Sequence, residues 1–217
     1  NKYHNAIFVN GHSFTATNVT RGSGSREVHL FGGGLDSQSS IAAGSDAALA
    51  LTNSEFGNIH AGSMNGTYDG AATIALTNCT VGSIYGSGAK AADIIRDNWF
   101  DTSEPPAPDA NAQYTVSGAV TVSMDGETIA GAKALTTVDG SGADSFALTI
   151  SDAGESKRLN LSGLSSLTVN GGYAAVVELN ASADVVLSGA TVDLSASNAM
   201  TINSLSGSGD SKIILGK

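Results

Sequence analysis

One motif occurs twice in the first half of the chain, 25 positions apart. Residues 48–63 read ALALTNSEFGNIHAGS, and residues 73–88 read TIALTNCTVGSIYGSG. A repeat of this length indicates a solenoid, a propeller or an array of similar units. When the asparagines are aligned, apolar residues fall on apolar residues; the matched pairs are Leu49/Ile74, Ala50/Ala75, Leu51/Leu76, Thr52/Thr77, Asn53/Asn78, Phe56/Val81, Gly57/Gly82 and Ile59/Ile84.

The pattern inside each copy predicts strands. Apolar and polar residues alternate in TIALTN, which is the two-residue period of a strand, and Gly and Asn then break the run. Neither copy contains an apolar stripe of helical period, which excludes the common helical repeats. The unit is also shorter than the roughly 40 residues of a common propeller blade. We therefore predict an all-β chain folded as a parallel β-helix, with two or three short strands in each coil.

A looser copy of the motif lies upstream. Its Thr-Asn pair ends at Asn18, which lies 35 positions before Asn53, so an inserted loop is expected. Stacked coils would bring Asn18, Asn53 and Asn78 into one column, about 4.8 Å apart. Two interpretations remain open for this column: side-chain amides that bond from coil to coil, or turn residues that tolerate a left-handed backbone. The other repeat positions predicted to stack are Gly57 on Gly82 and Ile59 on Ile84.

The second half continues the strand pattern in looser form. Short apolar pieces such as VVEL, VVL and TVDL recur about every eight residues, so three of them are predicted to make a coil of roughly two dozen residues. All three prolines lie in residues 105–108, and proline cannot donate to a strand ladder. We predict a repeat-bearing β-helix segment over 1–100, a linker or loop that interrupts it over 101–113, and a second β-helix segment over 114–217.

Charge and composition exclude several classes of partner. The chain carries 20 acidic against 10 basic residues, a net charge of −10, and has no basic stripe, so we predict no nucleic-acid partner. No apolar run approaches the ~18 residues of a membrane-spanning helix, so we predict no direct membrane insertion of this chain. The single cysteine, Cys79, excludes an internal disulfide and a thiolate zinc cage.

A search for catalytic chemistry finds none of the common motifs. The four histidines form no metal-binding spacing, and there is no GxSxG elbow, phosphate-binding loop or dinucleotide fingerprint. We therefore predict no catalytic residue and no cofactor. His60 aligns with Tyr85 in the repeat, which predicts an exterior or corner position with a structural role.

Two groups of carboxylates keep alternatives open. The segment DGSGADSF, residues 139–146, matches most of one calcium-binding nonapeptide, with Asp139 and Asp144 as candidate Ca²⁺ ligands. Such sites draw ligands from consecutive turns and only one copy is present, so an ordinary polar turn is favoured over a metal site. Glycosidic cleavage uses two facing carboxyl groups, and the candidates are Asp139 with Asp144 or the group Asp93, Asp97 and Asp101.

The Gly-rich units resemble a known family. LFGGG, NIHAGS and GSIYGSG, each near an ALTN-like strand, and the phrase LNLSGLSSLTVNGG are similar to the repeats of bacterial autotransporter passenger domains and related surface adhesins. The resemblance implies a right-handed parallel β-helix displayed outside a Gram-negative outer membrane, with a role in adhesion, self-association or biofilm formation. It carries no functional residue over to this sequence, because it is a rhythm and a composition without a catalytic motif.

The resulting functional prediction is a non-catalytic, secreted or surface-exposed adhesin-type solenoid. Its predicted partners are a host glycan or matrix protein, or a second copy of itself. The alternatives are a carbohydrate-active β-helix, such as a polysaccharide lyase or hydrolase, and an inert structural spacer.

Overall fold

The computed structural model is built from strands. Among the described residues there are eighteen strands and no α-helix, and all strand pairs are parallel. None of these residues forms a helix long and apolar enough to span a membrane. The all-β prediction is confirmed, and the parallel pairing is consistent with a solenoid-like fold. The described residues are 6–23, 27–35, 45–89, 115–126, 137–152, 159–180, 182–197 and 200–216.

Eight strands form the first sheet, here called sheet B. Its order along the molecule follows the chain, from β2 at one edge to β17 at the other. The strands are β2 (Ser13–Thr17), β4 (Ala47–Thr52), β6 (Ala72–Thr77), β8 (Val116–Asp125), β10 (Ala143–Ser151), β12 (Ser166–Asn170), β14 (Asp184–Ser188) and β17 (Ser204–Ser208).

The remaining described strands form sheet A, and the chain passes back and forth between the two sheets. The strands are β1 (Ala6–Phe8), β3 (His29–Phe31), β5 (Ile59–His60), β7 (Ser83–Tyr85), β9 (Thr137–Asp139), β11 (Leu159–Ser162), β13 (Tyr173–Asn180), β15 (Thr191–Leu194), β16 (Met200–Thr201) and β18 (Lys212–Leu215). The long strand β13 turns a corner, because its first half pairs with β15 and its second half with β16.

The pairing register reproduces the sequence repeat. Leu49 pairs with Ile74 and Leu51 with Leu76 in sheet B, while Ile59 pairs with Ile84 in sheet A. Each of these pairs had been matched by aligning the two copies of the motif. The 25-residue offset is therefore the length of one coil.

Coils from residue 166 onward are shorter than predicted. Ser166 pairs with Asp184 and Asp184 with Ser204, so these coils contain 18 and 20 residues instead of roughly two dozen. The prediction was wrong because it counted three apolar pieces per coil. Between β5 and β6, the return from sheet A to sheet B takes residues 61–71. Between β11 and β12, the same return takes only residues 163–165.

The core lies between the sheets and is continuous. Inward-facing side chains such as Leu76, Val122 and Ile150 are at most 1% exposed, and one apolar cluster extends from Val9 to Leu194. Apolar burial of this kind stabilises a folded chain by about 25 cal/mol per Å². Each coil thus buries its apolar edge only when the next coil stacks on it.

Both sheets continue across the proline-containing segment. In sheet B, β6 pairs with β8, and in sheet A, β7 pairs with β9. Residues 101–113 themselves lie outside the described residues, so their assignment as a linker or loop stays a prediction. The described strands on either side of them share the same two sheets.

Candidate functional site

The outward side of sheet B presents a regular array of small side chains. The central register runs without a shift through all eight strands, so three outward positions per strand fall into three columns. Sixteen of the 24 positions carry a hydroxyl: Ser13, Thr15, Thr17, Thr52, Thr73, Thr77, Thr121, Ser123, Thr149, Ser151, Ser166, Thr168, Ser188, Ser204, Ser206 and Ser208. The others are Ala48, Ala50, Ala75, Ala147, Asp125, Asn170, Asp184 and Val186. We call this surface the hydroxyl face.

The hydroxyl face consists of small side chains and carries little charge. Its columns contain no Lys, Arg, Glu or aromatic residue, and its two carboxylates are Asp125 and Asp184. Asp184 accepts hydrogen bonds from Ser204 Oγ and Asn203 Nδ2, both at 2.7 Å, and these bonds lower the pKa of its carboxyl. Eight strands about 4.8 Å apart make the face about 34 Å long, and three positions per strand make it about 13 Å wide.

A column of left-handed residues borders the hydroxyl face. Asn18, Asn53 and Asn78 follow three successive strands of sheet B and have φ values of 57°, 48° and 52°. Asn53 Nδ2 also donates to Asn18 Oδ1 at 3.2 Å. Both interpretations thus hold for Asn18 and Asn53, which adopt the left-handed turn and share an amide hydrogen bond between coils. Asn78 shows the left-handed turn.

Sequence reasoning missed the rest of this column. At the end of every later strand of sheet B stands another residue with positive φ: Gly126, Asp152, Gly171, Gly189 and Gly209. Their backbone groups continue the ladder, since Asp152 N donates to Asn170 O at 2.9 Å and Gly171 N to Ser188 O at 2.8 Å. The signal that would have found them is a Gly or Asp directly after the last polar residue of each strand.

The two repeat glycines serve close packing. Neither Gly57 nor Gly82 has a positive φ. A Cβ on Gly57 would lie 2.9 Å from His29 Nδ1, and one on Gly82 would lie 2.5 Å from Asn58 Oδ1. A side chain at either position would press against a side chain of the neighbouring coil, which would have to shift. The paired Ile59 and Ile84 are fully buried in the core.

The outward side of sheet A carries a different column, made of aromatic rings. Phe8, Phe31, His60 and Tyr85 stack over four successive coils, with ring centroids 5.2, 4.7 and 4.9 Å apart in turn. Phe31 is fully buried and does not belong to the main core cluster. We call these four residues the aromatic stack.

His60 lies on the outward side of sheet A, as the repeat predicts, but its side chain is buried there. It is 5% exposed, because its ring lies nearly parallel between Phe31 and Tyr85. Burial lowers the pKa of His60 to about 3, and the charge of His29 acts in the same direction. The Gly88 backbone opposes the shift, although neither ring nitrogen completes a hydrogen bond with a described residue. His60 is therefore neutral at ordinary pH.

The candidate metal ligands are not brought together as a site. Asp139 Oδ1 accepts a hydrogen bond from Ser141 N at 3.0 Å, as in a polar turn, while Asp144 lies exposed in β10 of the opposite sheet. Within the described ranges, no three His, Cys, Asp or Glu residues cluster so as to hold a metal ion. The Ca²⁺ site stays a prediction. The other carboxylate group, Asp93, Asp97 and Asp101, lies outside the described residues.

Comparison with known proteins adds no relative. No protein-family model, no curated protein and no solved structure matches this chain.

Proposed function

We propose that this chain is a secreted or surface-exposed solenoid of the adhesin or autotransporter-passenger type, which acts without catalysis through its hydroxyl face. The observation that supports this proposal is the unbroken array of small polar side chains along sheet B. Ordinary protein surfaces carry interspersed Lys, Glu and Arg side chains, and about 25% of residues in a typical globular chain are charged. The hydroxyl face has two carboxylates among its 24 positions.

Hydroxyl groups on a flat backbone suit adhesion to polar surfaces. Each Ser or Thr both donates and accepts hydrogen bonds, so the face can match the hydroxyls and amides of a host glycan or matrix protein. Each bond contributes only about 1 kcal/mol, and binding would rest on many of them. A second copy of the chain offers the same groups, so self-association belongs to the same proposal.

The area of the hydroxyl face predicts weak binding by one copy. Several copies displayed on one cell surface would bind more tightly. About 34 Å by 13 Å is roughly 450 Å² per partner, or about 900 Å² in total, which is below the 1,200–2,000 Å² of a stable interface. Several copies held together on one cell surface would raise the effective affinity without any new contact. We therefore propose display outside a Gram-negative outer membrane as the setting, with a right-handed β-helix as the rod. Crossover connections between parallel strands are almost always right-handed.

The test is an array of glycans and matrix proteins probed with the purified chain. One variant places lysines on the hydroxyl face at two exposed positions, Ala50→Lys with Ser123→Lys. A matched control adds the same charge to the outward side of sheet A, Thr137→Lys with Asn160→Lys. We expect the first pair to abolish binding or self-association and the second to leave both intact.

Other outcomes would overturn the proposal. Equal binding by the two variants would remove the hydroxyl face from the contact surface. The same spots should be assayed for new reducing ends, because cleavage would favour the carbohydrate-active alternative. If neither the array nor a self-association assay gives a signal, the inert spacer replaces the adhesin.

A further inference from the structure

The aromatic stack holds a titratable group where only its neutral form fits. The His60 ring lies 4.7 Å from the Phe31 ring and 4.9 Å from the Tyr85 ring, measured between centroids, and at interplanar angles of 7° and 14°. The side chain is 5% exposed, and neither Nδ1 nor Nε2 has a hydrogen-bond partner among the described residues. A buried polar group without a partner is rare and calls for an explanation.

Among the groups that act on His60, only the Gly88 backbone favours its protonated form. Neither ring nitrogen completes a hydrogen bond in the closed arrangement, so protonated His60 would hold two N–H donors without a formed hydrogen bond. On β3 the titratable group that acts on His60 is His29, whose charge disfavours a second cation at His60. On β7 the facing titratable group is Tyr85, whose ring stacks on His60. The first carboxylate in the column is Asp139 on β9, which lies beyond Tyr85 in the register. A cation is attracted to aromatic ring faces, but that attraction is smaller than the cost of burying a charge with unpaired donors.

We infer that the aromatic stack is an acid-sensitive clamp on the early coils, in which His60 must leave the space between Phe31 and Tyr85 to take up a proton. Acid then favours a locally opened form of sheet A. The core beneath is spared, because Ile59 and Ile84 point to the opposite side of the sheet.

We expect the turns that follow the stacked strands to open together with the aromatic stack. Ser63 is fully buried, and its Oγ accepts a hydrogen bond from Gly34 N at 3.1 Å. The next coil packs so closely that a Cβ on Gly88 would lie 1.9 Å from Ser63 O. These turns follow β5 and β7 directly, so a shift of the His60 ring disturbs them first.

The direction and size of the response follow from proton linkage. The closed form binds no proton at His60 until the pH falls to about 3, whereas the open form binds one below its ordinary value of 6.5. Opening therefore increases as the pH falls through this window and levels off below it. Between pH 7 and pH 5 the opening equilibrium should rise about 25-fold.

Native-state hydrogen exchange tests this inference. Two amides report on the clamp: Gly32 N donates to His60 O, and Ala61 N donates to Tyr85 O, both at 2.9 Å. After correction for the intrinsic exchange rate, we expect about 25-fold more opening at both amides at pH 5 than at pH 7. Asn53 N, which donates to Thr77 O at the edge of sheet B, should show little change.

Variants assign the effect to one side chain. His60→Phe keeps an aromatic ring but cannot be protonated, so its Gly32 and Ala61 amides should lose the pH dependence. His12→Phe is the matched control, since His12 is exposed, and it should respond like the wild type. A full response in His60→Phe, or no response in the wild type, would refute the clamp.

A titration of the wild-type protein covers the case in which His60→Phe does not fold. Histidine ring signals followed by NMR from pH 8 to pH 5 should show the closed-state His60 signal unchanged. A His60 signal that titrates near pH 6.5 would refute the inference. None of these measurements involves a ligand, so the clamp and the proposed adhesion succeed or fail separately.

Discussion

The two outward faces of the molecule have the same spacing between strands but carry different kinds of side chain. On sheet B, columns of Ser, Thr and Ala leave the surface flat, and most of their side chains stay accessible. On sheet A, the rings of Phe31, His60 and Tyr85 stack at the same coil spacing and bury one another. Strands about 4.8 Å apart lie close to the stacking distance of aromatic rings, whereas short side chains cannot cover the backbone between them.

This difference assigns stability to the aromatic stack and recognition to the hydroxyl face. The aromatic stack contributes buried area outside the main core, so substitutions in it should lower the free energy of unfolding. The hydroxyl face makes few contacts within the chain and should tolerate changes that alter its chemistry. The four tests below probe that separation, in order of decreasing predicted change in stability.

Phe31→Ala should lower the free energy of unfolding by about 3–5 kcal/mol, because it empties a fully buried position between two stacked rings. Thr149→Ala, at an outward position of sheet B, should change it by no more than about 0.5 kcal/mol. Urea unfolding followed by circular dichroism measures both. Similar losses of unfolding free energy in the two variants would show that the two faces contribute equally to stability.

Lowering the pH from 7 to 4 should destabilise the wild type by about 3 kcal/mol more than His60→Phe. His60 has a folded pKa lowered from 6.5 to about 3, so below pH 6.5 the unfolded chain binds a proton that the folded chain does not. This loss begins near pH 6.5 and levels off near pH 3. The comparison of the two proteins cancels carboxylate titration, and parallel pH profiles would contradict the assignment.

Asn53→Ala should cost about 1–2 kcal/mol, because Ala is strained at a φ of 48° and also lacks the amide bonded to Asn18. Asn53→Gly should cost only about 0.5 kcal/mol, since Gly adopts this backbone freely and loses only an exposed hydrogen bond. The difference in unfolding free energy between the two variants isolates the backbone contribution. Equal losses would make the amide ladder the main contribution at this corner.

Thr168→Val should leave the unfolding free energy within about 0.5 kcal/mol of the wild type, because Val keeps the β-branched shape and only the outward hydroxyl is lost. A shift in thermal midpoint well beyond that range would show that the hydroxyl face also stabilises the fold. Any effect should instead appear in binding to the array.

The strand period, the length of the repeated coil and the residues that stack within it can all be read from the sequence. The alternation in TIALTN and the 25-residue offset are local regularities, and parallel in-register pairing turns equal offsets into columns. The same logic placed Asn18, Asn53 and Asn78 together at one corner. Each of these inferences needs only one coil and its neighbour.

The burial of particular outward residues and the length of the later coils depend instead on contacts between coils. His60 occupies an outward position in a two-residue strand, and the rings above and below it cover its side chain. The column that continues through Gly126, Asp152 and Gly171 changes residue type at each step, so no repeat in the letters reveals it. What those residues share is a backbone conformation imposed by the stacking of the coils, which several different residues satisfy.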